Sequence, residues 1–448
     1  MKYAGLLKRP EASIVAVFSF SQGLVLLGSL ARIPLIVDSV GPSGYGLLLA
    51  ITALNPWLLL LVAGLTSLTR VGVAESLGAA SEASAWDRLE ALRVRSHAVG
   101  GIVFLASVGL AVLVPWDRLL LRPGGTATIG EVRLGVAFAG ALAATAAPGA
   151  VYLGLLHAKD KVALTSLLPG IAAAVSLLAT TVAALTATPM IAFVISMSVA
   201  SCAPFWFGHI LGLKYRRRLR ADAARPAESV GSGWMGAKAL VIMTGAAAPP
   251  LFSTGWDPIV LGAATNPKAV ATYGLATRIA LIVSLAPAAL YPHLWAKYAR
   301  LRAREEIPLV RAELRRDIAR IGGATTMLAM LYIIFGPYVG GVLTGEQVSR
   351  PVLLFVAVGL LGVLASVQTV VLPALGGAQS ARFVALLVYA SVAPNVVCSY
   401  FAARVVGPMG PILASILFAI VLLVLLHGRV RRHPELLVST VTPGLTSQ

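Results

Sequence analysis

Apolar stretches of about 20 residues recur from one end of this chain to the other, each long enough to cross a ~30 Å hydrocarbon layer as a helix. A backbone inside lipid must satisfy its own hydrogen bonds, so runs of this kind fold as helices rather than open sheets. The pattern predicts about twelve spans, near residues 14–38, 44–67, 98–115, 134–156, 164–186, 190–213, 236–262, 269–295, 320–340, 352–375, 383–405 and 408–427. Composition agrees: 58% of the 448 residues are hydrophobic, 12% are charged, and mean hydropathy is +0.86. The expected fold is an all-α polytopic membrane protein.

The few charges are unevenly placed. Lys2, Lys8 and Arg9, with segments 68–97, 157–163, 214–235, 296–319, 376–382 and 428–448, hold most of the 36 basic residues. The intervening loops hold Arg118, Arg122, Arg133, Lys268, Arg350 and Arg404. By the positive-inside rule both termini are cytoplasmic. The net charge of +18 then flanks helices and faces anionic lipid, so nucleic acid is not an expected partner. Residues 14–37 are too long for a cleaved leader and read as a retained first helix. Cys202 and Cys398 fall inside spans with no metal or disulfide spacing, which marks them as packing residues.

No polar segment is long enough for a soluble catalytic domain. Residues 82–97 mix Trp86, Leu89, Leu92 and Val94 with charges and are expected to lie as an interfacial amphipathic helix. Residues 214–235 separate six spans from six. The expected organisation is therefore an N-terminal lobe, 1–213, a basic linker, 214–235, and a C-terminal lobe with its tail, 236–448.

The halves echo each other. Tyr45-Gly46-Leu47 returns as Tyr273-Gly274-Leu275, about 228 residues on. The junction GLLHAKDKVAL, with Lys161, returns as LGGAQSARFVAL, with Arg382, about 221 residues on. Each half holds six spans and starts inside, so the repeats share one topology about an axis along the membrane normal. Two such lobes predict a central cleft and alternating access.

The stretch from Arg32 through Pro34, Asp38, Gly41 and Pro42 to Tyr45-Gly46, with Asp257 and then Tyr273-Gly274 opening the second half, resembles the polysaccharide flippases of the multidrug/oligosaccharidyl-lipid/polysaccharide exporter superfamily. That resemblance implies translocation of undecaprenyl-pyrophosphate-linked oligosaccharide across a bacterial cytoplasmic membrane. It implies a lipid-linked oligosaccharide as substrate, the lipid bilayer as surroundings, and a polysaccharide polymerase or glycosyltransferases as neighbours in the same process.

Charge at membrane depth costs roughly 2.5–3.5 kcal/mol on insertion scales, so each such residue asks for a function or a partner. Arg278 sits about ten residues into its span and offers a bidentate fork to phosphate; an interhelical bridge is the structural alternative. Arg32 and Asp257 stand at similar depth on the helices opening each half. Arg32 either meets the substrate or snorkels to headgroups. Asp257 pairs with Arg32 as a gate, binds a coupling proton or sodium ion, or caps its helix. Asp38, at a helix boundary, is a weaker gate candidate and suits a turn. Lys238 snorkels at the inner end or greets an entering phosphate. Gln22, Asn55, Gln368 and Asn395 suit sugar hydroxyls or helix–helix bonding. His209 and His293 lack a paired acid. Pro249-Pro250 is expected to bend the seventh span. No metal set, nucleotide loop or catalytic motif stands out, so no cofactor and no enzyme activity are expected, and energy must come from an ion gradient or product removal. The alternatives are a proton- or sodium-coupled multidrug or small-molecule exporter of the same superfamily, and a membrane glycosyltransferase, polymerase or ligase using a lipid-linked donor.

Overall fold

A computed structural model of the chain describes residues 10–78, 82–120, 128–159, 161–186, 190–222, 240–242, 244–245, 255–285, 287, 294, 297–298, 301, 307–375 and 378–432. The described residues are all-helical and carry nine helical stretches long and apolar enough to cross a membrane. The protein is a multi-pass membrane protein. Its helices are α1 (Pro10–Thr52), α2 (Asn55–Leu58), α3 (Leu60–Gly78), α4 (Glu82–Leu113), α5 (Trp116–Leu119), α6 (Ile129–Ala158), α7 (Val162–Leu185), α8 (Met190–Asp222), α9 (Asp257–Ala264), α10 (Pro267–Ile279), α11 (Ile307–Thr344), α12 (Val352–Ala374), α13 (Ala378–Val406) and α14 (Met409–Arg432).

The expected break between the first two spans is a kink, not a loop. α1 runs through residues 39–43 with Gly41 at φ 71°, ψ 172°. The helical region is disfavoured for the residue before a proline. Pro42 follows, and only glycine adopts this backbone region freely, so sequence dictates the bend. The second span is interrupted by the short α2, where Pro56 sits in the first turn.

The chain forms two compact units. The first gathers residues 1–25, 54–115 and 129–248. The second gathers residues 26–53, 116–128 and 249–448. Each unit is therefore assembled from separated stretches of sequence, and α1 contributes to both.

In the first unit α6 is the hub. Its Ala143, Ala146, Ala147 and Ala150 are buried, and such small residues let helices approach closely. The segment expected to lie flat as an interfacial helix does not do so. Residues 82–97 continue without a break into the next span as α4, 32 residues or ~48 Å long. The early part of the linker, 214–222, likewise continues α8, and residues 223–235 lie outside the described residues. The two extensions share a dry core of Leu89, Leu92, Val151, Leu155 and Leu219. Above it Glu90 pairs with Arg216 at 2.8 Å and with Arg93 at 2.7 Å, and Arg216 lies 5.4 Å over the Trp86 ring. Buried leucines won over the charges that suggested an interfacial helix.

In the second unit α10 is the buried element, from Val270 to Ala276. Asn266 caps it by accepting the Ala269 N–H at 2.8 Å, and Pro267 occupies its first turn. Tyr332 of α11 donates to the Ala276 carbonyl at 2.9 Å, fixing one helix on the other. At one end of α11, Lys297 reaches Asp317 at 2.8 Å and Glu313 at 2.7 Å, and Tyr298 donates to Asp317 at 2.8 Å. Burial first, and then the Asp317 carboxylate, hold the Tyr298 phenol far above its ordinary range. At the other end Arg350 pairs with Glu346 and donates to the Pro337 carbonyl at 3.1 Å.

Candidate functional site

In the second unit, buried Tyr45 of α1 and Tyr273 of α10 lie where these two helices meet. Gly46 lies against the backbone of Pro267 and Ala271, and Gly274 against Leu49. A Cβ at Gly46 would overlap the Pro267 carbonyl oxygen. The two Tyr-Gly pairs that mark the sequence repeat thus pack in one helix crossing, and each glycine permits the approach. Each tyrosine is carried beside its glycine into a buried position, at 2% exposure for Tyr45 and 3% for Tyr273.

Tyr273 points its hydroxyl at Asp257, donating to Oδ2 at 2.8 Å. Ser415 of α14 also donates to Oδ2, at 3.4 Å. Asp257 is 1% exposed and opens α9, where the amino end of a helix favours a negative charge. Its partners are hydroxyls, and it forms no ion pair with Arg32. A buried carboxylate with neutral donors alone is well disposed to take up a proton or a small cation.

Tyr45 is different. Its hydroxyl is buried with no hydrogen-bond partner. An unpaired buried hydroxyl costs about 1–3 kcal/mol. It lies within electrostatic reach of Arg32 and Arg278. Arg32 is 7% exposed; its Nε donates to the Gly28 carbonyl at 3.0 Å and its Nη2 to Ser29 Oγ at 3.3 Å, so these donors fold back on its own helix. Arg278 is half-buried in the last turn of α10, where the carboxyl end of a helix favours a cation. It makes no ion pair among the described residues.

The other residues singled out from sequence are scattered. Asn55 and Ser198 bond each other in the first unit, at 3.1 and 3.2 Å, and are buried, a helix-to-helix tie. Gln22 is half-buried beside Ser21, whose Oγ accepts the Gly170 N–H at 3.0 Å. Gln368 reaches the Ala419 carbonyl at 3.5 Å, the outer limit of a hydrogen bond. Asn395 is buried in α13. Asp38 is exposed, one turn before the Gly41 kink. His209 packs edge-on to Tyr152 at 4.5 Å. Lys238, His293 and Pro249-Pro250 lie outside the described residues. Among the described residues no group of three His, Cys, Asp or Glu is placed to hold a metal. Tyr45 and Ser415 were not singled out as site residues from sequence. A tyrosine in an apolar run reads as core, and only the repeated Tyr-Gly pair marked Tyr45.

No protein-family model matches the chain, and no curated protein matches it in sequence. Solved structures do match in fold. An outward-facing multidrug resistance MATE family transporter of the MOP superfamily aligns with a TM-score of 0.61 at 14% identity, over 96% of each chain. A mutant of the Vibrio cholerae MATE transporter VcmN aligns with a TM-score of 0.54 at 18% identity, over 96% of this chain and 99% of that one. A MATE protein in complex with MaD3S aligns with a TM-score of 0.54 at 15% identity, over 97% and 99%. The chain has the two-lobed fold of these MATE transporters. The proteins matched are transporters, not enzymes.

Proposed function

We propose that this protein is an ion-coupled exporter working by alternating access, of the kind the multidrug MATE transporters represent. The observation that carries this reading is Asp257, a fully buried carboxylate in a MATE-like fold whose partners are the hydroxyls of Tyr273 and Ser415. With no ion pair to it among the described residues, the carboxylate exchanges a proton or sodium ion as its surroundings open and close. Ion occupancy shifts the balance between two conformations only through its different affinity for each. The Lys and Arg bias supports a cytoplasmic position for both termini and a place in a bacterial cytoplasmic membrane.

The test is transport by the full chain in proteoliposomes, with proton and sodium gradients imposed separately and a fluorescent amphiphilic drug as cargo. One gradient drives uptake, and Asp257→Asn abolishes the dependence on it. Gradient-driven transport by Asp257→Asn at the wild-type rate overturns the assignment.

A second reading is supported by Arg278, a half-buried guanidinium with no carboxylate partner among the described residues. It is the flipping of undecaprenyl-pyrophosphate-linked oligosaccharide, which the Tyr-Gly regions also suggest by resemblance. On that reading a polymerase or glycosyltransferases act before and after. A fluorescent lipid-linked sugar that changes leaflet in the same proteoliposomes, without drug transport, decides for it. New glycosidic bonds in that assay decide for an enzyme instead.

A further inference from the structure

The early turns of α11 carry four arginines and two acids, and the fold treats the two signs differently. Lys297 draws both acids inward: its Nζ reaches Glu313 Oε2 at 2.7 Å and Asp317 Oδ2 at 2.8 Å. Tyr298 donates to the same Asp317 oxygen at 2.8 Å, and Asp317 is buried. Glu313 is paired with Arg316 as well. Arg311, Arg315, Arg316 and Arg320 are all exposed. Of these, Arg311, Arg315 and Arg320 have no acid beside them among the described residues. A segment of mixed charge in sequence is therefore basic alone on its outer face.

The same helix shows where that face stands. Met327 and Ile334 are exposed apolar side chains of α11, and they follow Arg320 at i+7 and i+14, on one stripe. From Arg320 to Met327 is ~10 Å along the axis. The polar layer outside the hydrocarbon is about 5–8 Å thick on each side. Arg320 thus stands at headgroup level when Met327 lies among the tails. Between them Gly323 faces open space and Ala324 is exposed, so nothing bulky parts the charge from the apolar stripe. An acidic protein segment or a free anion would answer the arginines and leave the stripe bare. A phospholipid answers both, since guanidinium is suited to phosphate and its chain to methionine and isoleucine. We propose that Arg315 and Arg320, with Met327 and Ile334, form a binding surface for an anionic bilayer phospholipid, and that Lys297 keeps this face basic by holding Glu313 and Asp317 inward. The surface stands apart from the cargo and from Asp257.

The full-length protein in detergent micelles is titrated with phosphatidylglycerol or with phosphatidylcholine of the same chains, at constant ionic strength. Thermal unfolding and native mass spectrometry follow binding. Phosphatidylglycerol is expected to raise the melting temperature and to stay bound, and phosphatidylcholine is not. Arg315→Gln with Arg320→Gln is expected to weaken binding at least about tenfold, because each arginine near an anionic surface adds to the attraction. Lysine at both positions is expected to keep most of it. Both side chains are exposed, so these variants keep the fold. Arg217→Gln with Arg218→Gln, an exposed basic pair on α8, is expected to change binding little. Lys297→Met, which releases two acids, is expected to weaken binding too, and wild-type binding by that variant overturns the role given to Lys297. The Arg315 and Arg320 variants serve even where Lys297→Met does not fold. Equal losses from the two arginine pairs mean diffuse attraction and overturn the surface. Stabilisation by glycerol 3-phosphate equal to that by the lipid, or displacement of the lipid by polyglutamate, overturns it as well.

Discussion

Tyr45-Gly46 and Tyr273-Gly274 are the same dipeptide twice, and the fold uses their glycines alike and their hydroxyls oppositely. Both glycines let α1 and α10 touch. Tyr273 then meets a carboxylate and is satisfied, while Tyr45 lies near two guanidiniums and is not. One tyrosine thus stands beside a carboxylate, the other in the field of guanidiniums. The two dipeptides differ in the charged residue upstream of each, Arg32 in one case and Asp257 in the other.

The comparison breaks most readily at its glycines. Gly46→Ala drives a Cβ into the rigid Pro267 carbonyl, so the variant is expected to lose about 3 kcal/mol or more, visible as a collapse of folded yield and melting temperature. Gly274→Ala meets the end of the flexible Leu49 side chain, so a loss of about 1 kcal/mol is expected. Equal losses would mean that the two approaches are not as unlike as described.

The hydroxyls separate next. Tyr273→Phe strips a donor from the buried Asp257 and is expected to destabilise by about 2 kcal/mol. Tyr45→Phe removes a buried hydroxyl with no partner and is expected to stabilise by about 1 kcal/mol. Denaturation of the two variants in the same detergent checks both. The smallest effect belongs to Glu90→Gln, which breaks a half-exposed pair with Arg216. It is expected to cost about 0.5 kcal/mol and to shrink further in high salt.

Much of this was legible in the sequence. Hydropathy fixed the membrane class because lipid leaves a backbone few choices, and the repeated Tyr-Gly marked where the second unit is pinned. Pro42 after Gly41 contained the kink, though it looked like a loop. Asp257 stood out because a carboxylate at depth is costly. Its hydroxyl partners did not, since Ser415 is 158 residues away and no local pattern links them. Tyr45 was hidden by its apolar neighbours, because pairing of its hydroxyl depends on what α10 brings to it. Residues 82–97 were misjudged because burial of Leu89 and Leu92 requires α6 and α8, neither of which a local window contains. Asn55 could be read as sugar-binding or as glue; Ser198, far along the chain, places it with the latter geometry.

α4 and α8 are each near 50 Å long, against a hydrocarbon layer of ~30 Å. About a third of each rod therefore stands clear of the lipid tails, zipped along leucines and closed by Glu90 and Arg216. A protease arriving from that side finds a rigid ridge where hydropathy would draw floppy loops, and a fluorescent label on Arg95 or Arg218 would tumble with the whole protein rather than on its own.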